Sequence, residues 1–185
     1  LEPFHGTNPT KKFQLRECVS DSEELSEGAA CLLADADGRI DKGDLEGATD
    51  IYRFIVSSEE FGGPDRLAAG QKLYALAESQ SDEVMREEAL IRLVASRSLP
   101  DSQLGPAKRT LVSMALKRDE RPLAITRLED VVSSDPADAQ SLANLAILMR
   151  QEGIIGADER MIAAIAARES AGEAVPQGWR DFVSS

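Results

Sequence analysis

The chain has 185 residues, 42% of them hydrophobic, 29% charged and only 4% aromatic, and its formal net charge is −12. That length and composition suit one folded domain with a sizeable core. The acidity opposes binding to nucleic acid and to anionic membrane surfaces, both of which call for Lys/Arg patches, and no run approaches the ~20 apolar residues of a membrane span. A neutral or basic polypeptide is the compatible kind of partner.

Residues 1–21 carry Pro3, Gly6, Asn8 and Pro9 without periodicity and read as an irregular arm. The chain opens on Leu1-Glu2-Pro3 without a methionine, as expected of a processed protein, a cloned piece or part of a longer chain. Cys18 and Cys31 are the only cysteines. One bridge could pin the arm to the first helix in an oxidising compartment, or both could be unlinked thiols. The compartment therefore stays open between export, including the periplasm, and the cytoplasm.

From residue 22 the text turns helical. Leu25, Ala29, Leu32, Leu33, Ala36 and Ile40 recur at three- and four-residue steps, and Leu45, Ala48, Tyr52, Ile55 and Val56 repeat the pattern. Gly62-Gly63-Pro64 breaks the chain before a second pair, with Leu73, Tyr74 and Ala77 on its first helix and Met85, Ala89, Leu90 and Leu93 on its second. Leu99-Pro100-Asp101 precedes a third pair, built on Ala107, Leu111, Met114 and Ala115, then Ala124, Leu128, Val131 and Val132. Asp135-Pro136 closes it. A fourth runs through Leu142, Leu145, Ala146 and Met149, turns at Gly153–Gly156, and continues with Met161, Ile162 and Ile165. Strand-like alternation is weak everywhere, and the abundance of alanine and leucine favours helix.

A small residue followed four positions later by a larger apolar one recurs as Ala48/Tyr52, Ala89/Leu93 and Ala124/Leu128, the alanines 41 and 35 residues apart. With Leu73-x2-Leu76-Ala77 and Leu142-x2-Leu145-Ala146 on first helices, and Pro136 after the third pair, the chain resembles the tetratricopeptide repeat (TPR), a 34-residue helix–turn–helix. The resemblance covers about residues 25–170. It departs from the pattern at Asp35, Arg39, Lys108 and Asp158, which stand where apolar or small residues are usual.

The resemblance implies an all-α, right-handed superhelix of about four antiparallel helix pairs over residues 22–172. Residues 173–185 form a cap or tail, with Trp179 and Phe182 on a short capping helix. It also implies a concave face that holds a peptide or partner helix, lined by Tyr74 and Glu78, Arg109 and Ser113, and Asn144 and Arg150. Assembly of identical copies through the end surfaces is the alternative use of such a stack.

The stretch DADGRIDKGDLE, residues 35–46, invites a calcium reading. Setting Gly38 at the sixth position of an EF-hand loop puts Asp35, Asp37, Asp41 and Asp44 at positions 3, 5, 9 and 12, much as in half a dockerin module. Position 1 is then Leu33, which cannot ligate, and no second copy follows. The better reading is punctuation: the first half ends one helix, and Asp44 caps the next. The single histidine, His5, lies in the arm, which rules out His-based triads and multi-His metal sites. No phosphate loop, Cys-x2-Cys or nucleophile elbow is present. Glu23-Glu24, Glu59-Glu60 and Glu87-Glu88 read as solvated helix faces. The sequence thus points to a non-enzymatic interaction module without a cofactor.

Overall fold

The computed structural model describes residues 25–184. A single turn design recurs along them. A helix ends, the second residue beyond it adopts a left-handed conformation, and the residue after that both closes the old helix and caps the new one. Gly43, Ser81 and Asp119 take the positive φ, at 79°, 55° and 55°. The amides of Asp44, Asp82 and Glu120 then donate back to the carbonyls of Arg39, Ala77 and Ala115 at 2.9, 2.9 and 3.0 Å. This Schellman closure satisfies carbonyls that the helix end would otherwise orphan. The Asp44 and Asp82 carboxylates next accept from the amides of Gly47 and Met85 at 3.0 and 2.9 Å, meeting the orphan donors of the helix that follows.

Among the described residues these turns delimit nine helices and no strand. They are α1 (Leu25–Asp41), α2 (Leu45–Ser57), α3 (Gly63–Ser79), α4 (Glu83–Ala95), α5 (Asp101–Lys117), α6 (Arg121–Ser134), α7 (Ala139–Gln151), α8 (Ala157–Ser170) and α9 (Gln177–Ser184). The expected breaks fall where the sequence puts them. Gly62 caps α3 with Pro64 in its first turn, Pro100 precedes α5, and Asp135 closes α6. Helix α5 runs on through Pro106, an exposed position in its second turn.

The interval differs from expectation. Alanine spacings of 41 and 35 give way to a constant step: the left-handed residues 43, 81 and 119, and the helix ends 41, 79 and 117, are each 38 residues apart. Four residues beyond a TPR's 34 amount to about one added turn, and α3 and α5 are each 17 residues long.

The chain divides into two compact units at Leu99/Pro100. In the first, α1–α4 pack as consecutive antiparallel pairs around Leu32, Tyr52, Ile55 and Leu73, all essentially fully buried. The closest approach is at Gly70 on α3. A Cβ there would lie 2.3 Å from Leu93 Cδ2 and 3.2 Å from Val56 Cγ2. Neighbouring pairs are also tied by polar contacts between residues 35 apart: Lys72 to Asp37, Arg53 to Glu88, and Arg92 to Ser57.

In the second unit α5–α8 pack around Leu128, Val131, Leu145 and Met161, and α9 lies on α8. Trp179 is buried in this core with Phe182 and Val183 packed beside it, as a capping helix requires. No described helix is long and apolar enough to cross a membrane. Cys31, on α1, is disulfide-bonded. Cys18, His5, the arm and the Ser22 helix start lie outside the described residues.

Candidate functional site

The acidic stretch 35–46 is helix and turn, not an ion-binding loop. Asp35 and Asp37 lie within α1, Asp41 is its last residue, and Asp44 is the α2 cap. Arg39 bridges Asp35 at 3.1 Å and Asp44 at 2.7 Å. Asp37 accepts from the Tyr52 hydroxyl at 2.6 Å and from Lys72 Nζ at 2.9 Å. Partial burial pushes the Asp37 carboxyl up, but the Tyr52 and Lys72 hydrogen bonds outweigh it and hold the group below its ordinary value. Among the described residues no three His, Cys, Asp or Glu side chains are gathered as a metal site.

Arg53, Glu88 and Arg92 form a second node. Arg53 donates from Nε and Nη2 to the Glu88 carboxylate, and Arg92 Nε donates to it at 2.8 Å. Burial raises the Glu88 pKa, and the two guanidinium groups more than reverse it. Glu88 thus departs from the solvated face expected for Glu87-Glu88. The 35-residue spacing from Arg53 is the signal that marks Glu88 as a tie between helix pairs.

The six first-helix candidates separate into two kinds. Tyr74, Val112 and Arg150 occupy one position of the 38-residue frame, and Val112 is buried while the other two are half-buried. This is an inward position. Burial first, and then the neighbouring Glu78, raise the Tyr74 hydroxyl pKa. Arg150 is committed to the C-terminal helix: it donates to the Phe182 carbonyl at 2.7 Å, stacks 3.4 Å over the Phe182 ring and pairs with Asp158.

Arg109, by contrast, shares its frame position with Gln71 and Ile147, and all three are exposed. Glu78 and Ser113 are exposed as well. Arg109 reaches from the middle of α5 to the α7 cap, Asp138, at 3.1 Å, which ties α5 to the start of α7. Burial alone would raise the Asp138 pKa, but hydrogen bonds from the amide and hydroxyl of Ser141 and from Arg109 keep it low. Ser113 donates back to the Arg109 carbonyl, and half-buried Asn144 accepts from Gln140 at 3.0 Å. Arg109, Ser113 and Ile147 are thus exposed and Asn144 half-buried, and Arg109 is linked to the start of α7 through Asp138.

The chain is thus an all-α protein of consecutive antiparallel helix pairs, with its polar groups spent largely on caps and inter-pair ties. No protein-family profile matches the sequence, and no curated protein matches it. Two solved structures of MamA resemble it. The first is 19% identical with a TM-score of 0.42, covering 80% of this chain and 90% of that one. The second is 18% identical with a TM-score of 0.42, covering 84% and 88%. Superpositions that loose carry no argument about function.

Proposed function

We propose that this chain is a non-enzymatic protein-interaction module that holds an extended peptide or a partner helix against the exposed faces of its first helices. In the second unit that face is Arg109, Ser113, Asn144 and Ile147; in the first it includes Glu78, with Tyr74 packed behind it. The observation that carries the reading is the exposed line of Arg109 and Ser113 on α5, with Arg109 tied to the α7 cap Asp138. Asn144 offers both a donor and an acceptor to a peptide backbone, Ile147 offers an apolar contact, and Arg109 offers a charge-assisted hydrogen bond.

Affinity capture with the intact chain and with a double variant, Arg109→Glu with Asn144→Ala, tests this. A partner recovered by the native chain should be lost with the double variant while circular dichroism is unchanged. Equal recovery by both proteins would contradict the reading.

A further inference from the structure

We propose that α9 is a releasable lid, and that the groove it fills on α8 is a binding site for a helix carrying two aromatic residues three positions apart. Helices α1, α3, α5, α7 and α9 start at residues 25, 63, 101, 139 and 177, a constant step of 38. α9 thus takes the place of a further first helix, lying on α8 as α3 lies on α2 and α7 on α6. It is much shorter, eight residues where α3 has 17 and α7 has 13. Isolated helices shorter than ~12 residues are marginal in water, and Gly178 lowers the propensity of this one further. Trp179 is its one buried residue; the other seven are half-buried or exposed. The tether before it, residues 171–176, holds no helix and is exposed apart from half-buried Val175. Lifting α9 therefore withdraws one buried side chain and leaves α8 whole.

The helix already seated there defines the chemistry of the ligand. Trp179 and Phe182 are three apart and share one face, and each ring meets a guanidinium. Arg168 lies 5.3 Å from the Trp179 ring centroid and Arg150 3.4 Å from that of Phe182, both within cation–π range. Arg150 Nη1 also donates to the Phe182 carbonyl at 2.7 Å, one of the four carbonyls that a helix end leaves without an intrahelical partner. Arg150 therefore reads a helix C-terminus as well as a ring. Arg180 pairs with Glu169 at 3.0 Å, but both are exposed and the pair adds little. The ligand is thus a short amphipathic helix with Trp one turn before a Phe near its end. This groove uses none of the residues of the Arg109 face.

Two measurements on the full chain test this. In native-state hydrogen exchange the amides of residues 181–184 should exchange at least about a hundredfold faster than those inside α8. Exchange of α9 and α8 together would overturn the lid, and this measurement needs no variant. The groove is tested with a fluorescein-labelled peptide of residues 174–185, followed by anisotropy. Trp179→Ala with Phe182→Ala in the chain should raise its affinity for the peptide at least about tenfold, because the resident helix no longer competes. Adding Arg168→Ala should weaken that binding, and adding Arg109→Glu should not. Phe182→Ala alone serves if the double variant loses its helical circular dichroism. Equal binding to native and variant chains would overturn the groove. So would a folded variant that binds no peptide, or binding indifferent to Arg168→Ala.

Discussion

Gly70 is where α3 comes closest to its neighbours. The atoms a methyl group would strike, Leu93 Cγ and Cδ2 at 2.5 and 2.3 Å, belong to a side chain only 3% exposed. Alanine would gain ~1 kcal/mol of helix propensity. Leu93, however, would have to leave its rotamer inside a filled core, at a typical cost of ~1–3 kcal/mol. We expect Gly70→Ala to lose up to about 2 kcal/mol in urea unfolding; a raised midpoint would show that the core yields there. A second expectation concerns acid. Asp37, Glu88 and Asp138 all have folded pKa values below their ordinary ones. Their contribution is fully present above the ordinary carboxylate range and is lost as pH falls through the depressed folded values. Urea midpoints should therefore decline on acidification from about pH 5, and Glu88→Gln should flatten part of the decline. A profile flat down to pH 3 would contradict these ties. At this scale the sequence was partly legible. Asp44 announced itself as a cap, because an Asp after Gly and before an apolar periodic run has few other uses. Arg150 did not announce its role, since its partners Asp158 and Phe182 lie 8 and 32 residues away.

The helix–turn–helix element carries a testable strain. In the three turns spaced 38 residues apart the left-handed residue is glycine at Gly43, whereas Ser81 and Asp119 hold the same conformation with a Cβ. A non-glycine residue there costs roughly 1 kcal/mol, so Ser81→Gly should raise stability by about 0.5–1 kcal/mol. A loss measured by thermal or urea unfolding would mean the serine side chain contributes something the geometry does not show. The same feature explains which part of the fold was hard to read. Apolar periodicity located the helices, and Gly-Pro and Asp-Pro breaks located the loops between pairs. The 38-residue period hid because its turns read Gly43-Asp44, Ser81-Asp82 and Asp119-Glu120, a conserved geometry written in different letters. Alanines matched at 41 and 35 residues are true core positions, all fully buried, but Ala89 sits about one turn further along its helix than Ala48 and Ala124 do along theirs.

At the scale of the molecule, each unit owns its core: one buried cluster spans Ala29 to Ala89, the other Val112 to Trp179. A fragment of residues 100–185 should therefore fold by itself, with helical circular dichroism and a cooperative melt. A coil-like spectrum would contradict that independence. The functional claim belongs to this scale too, because the proposed face draws on residues of both α5 and α7. Its most direct test is a photoreactive amino acid placed at Ser113, on the proposed face, and at Ser133 on α6 as an exposed control. After irradiation in the native cellular extract, we expect a discrete crosslinked protein at Ser113, absent at Ser133 and lost when Arg109→Glu is added. Crosslinks that are equal at both positions, or that survive Arg109→Glu, would contradict the account.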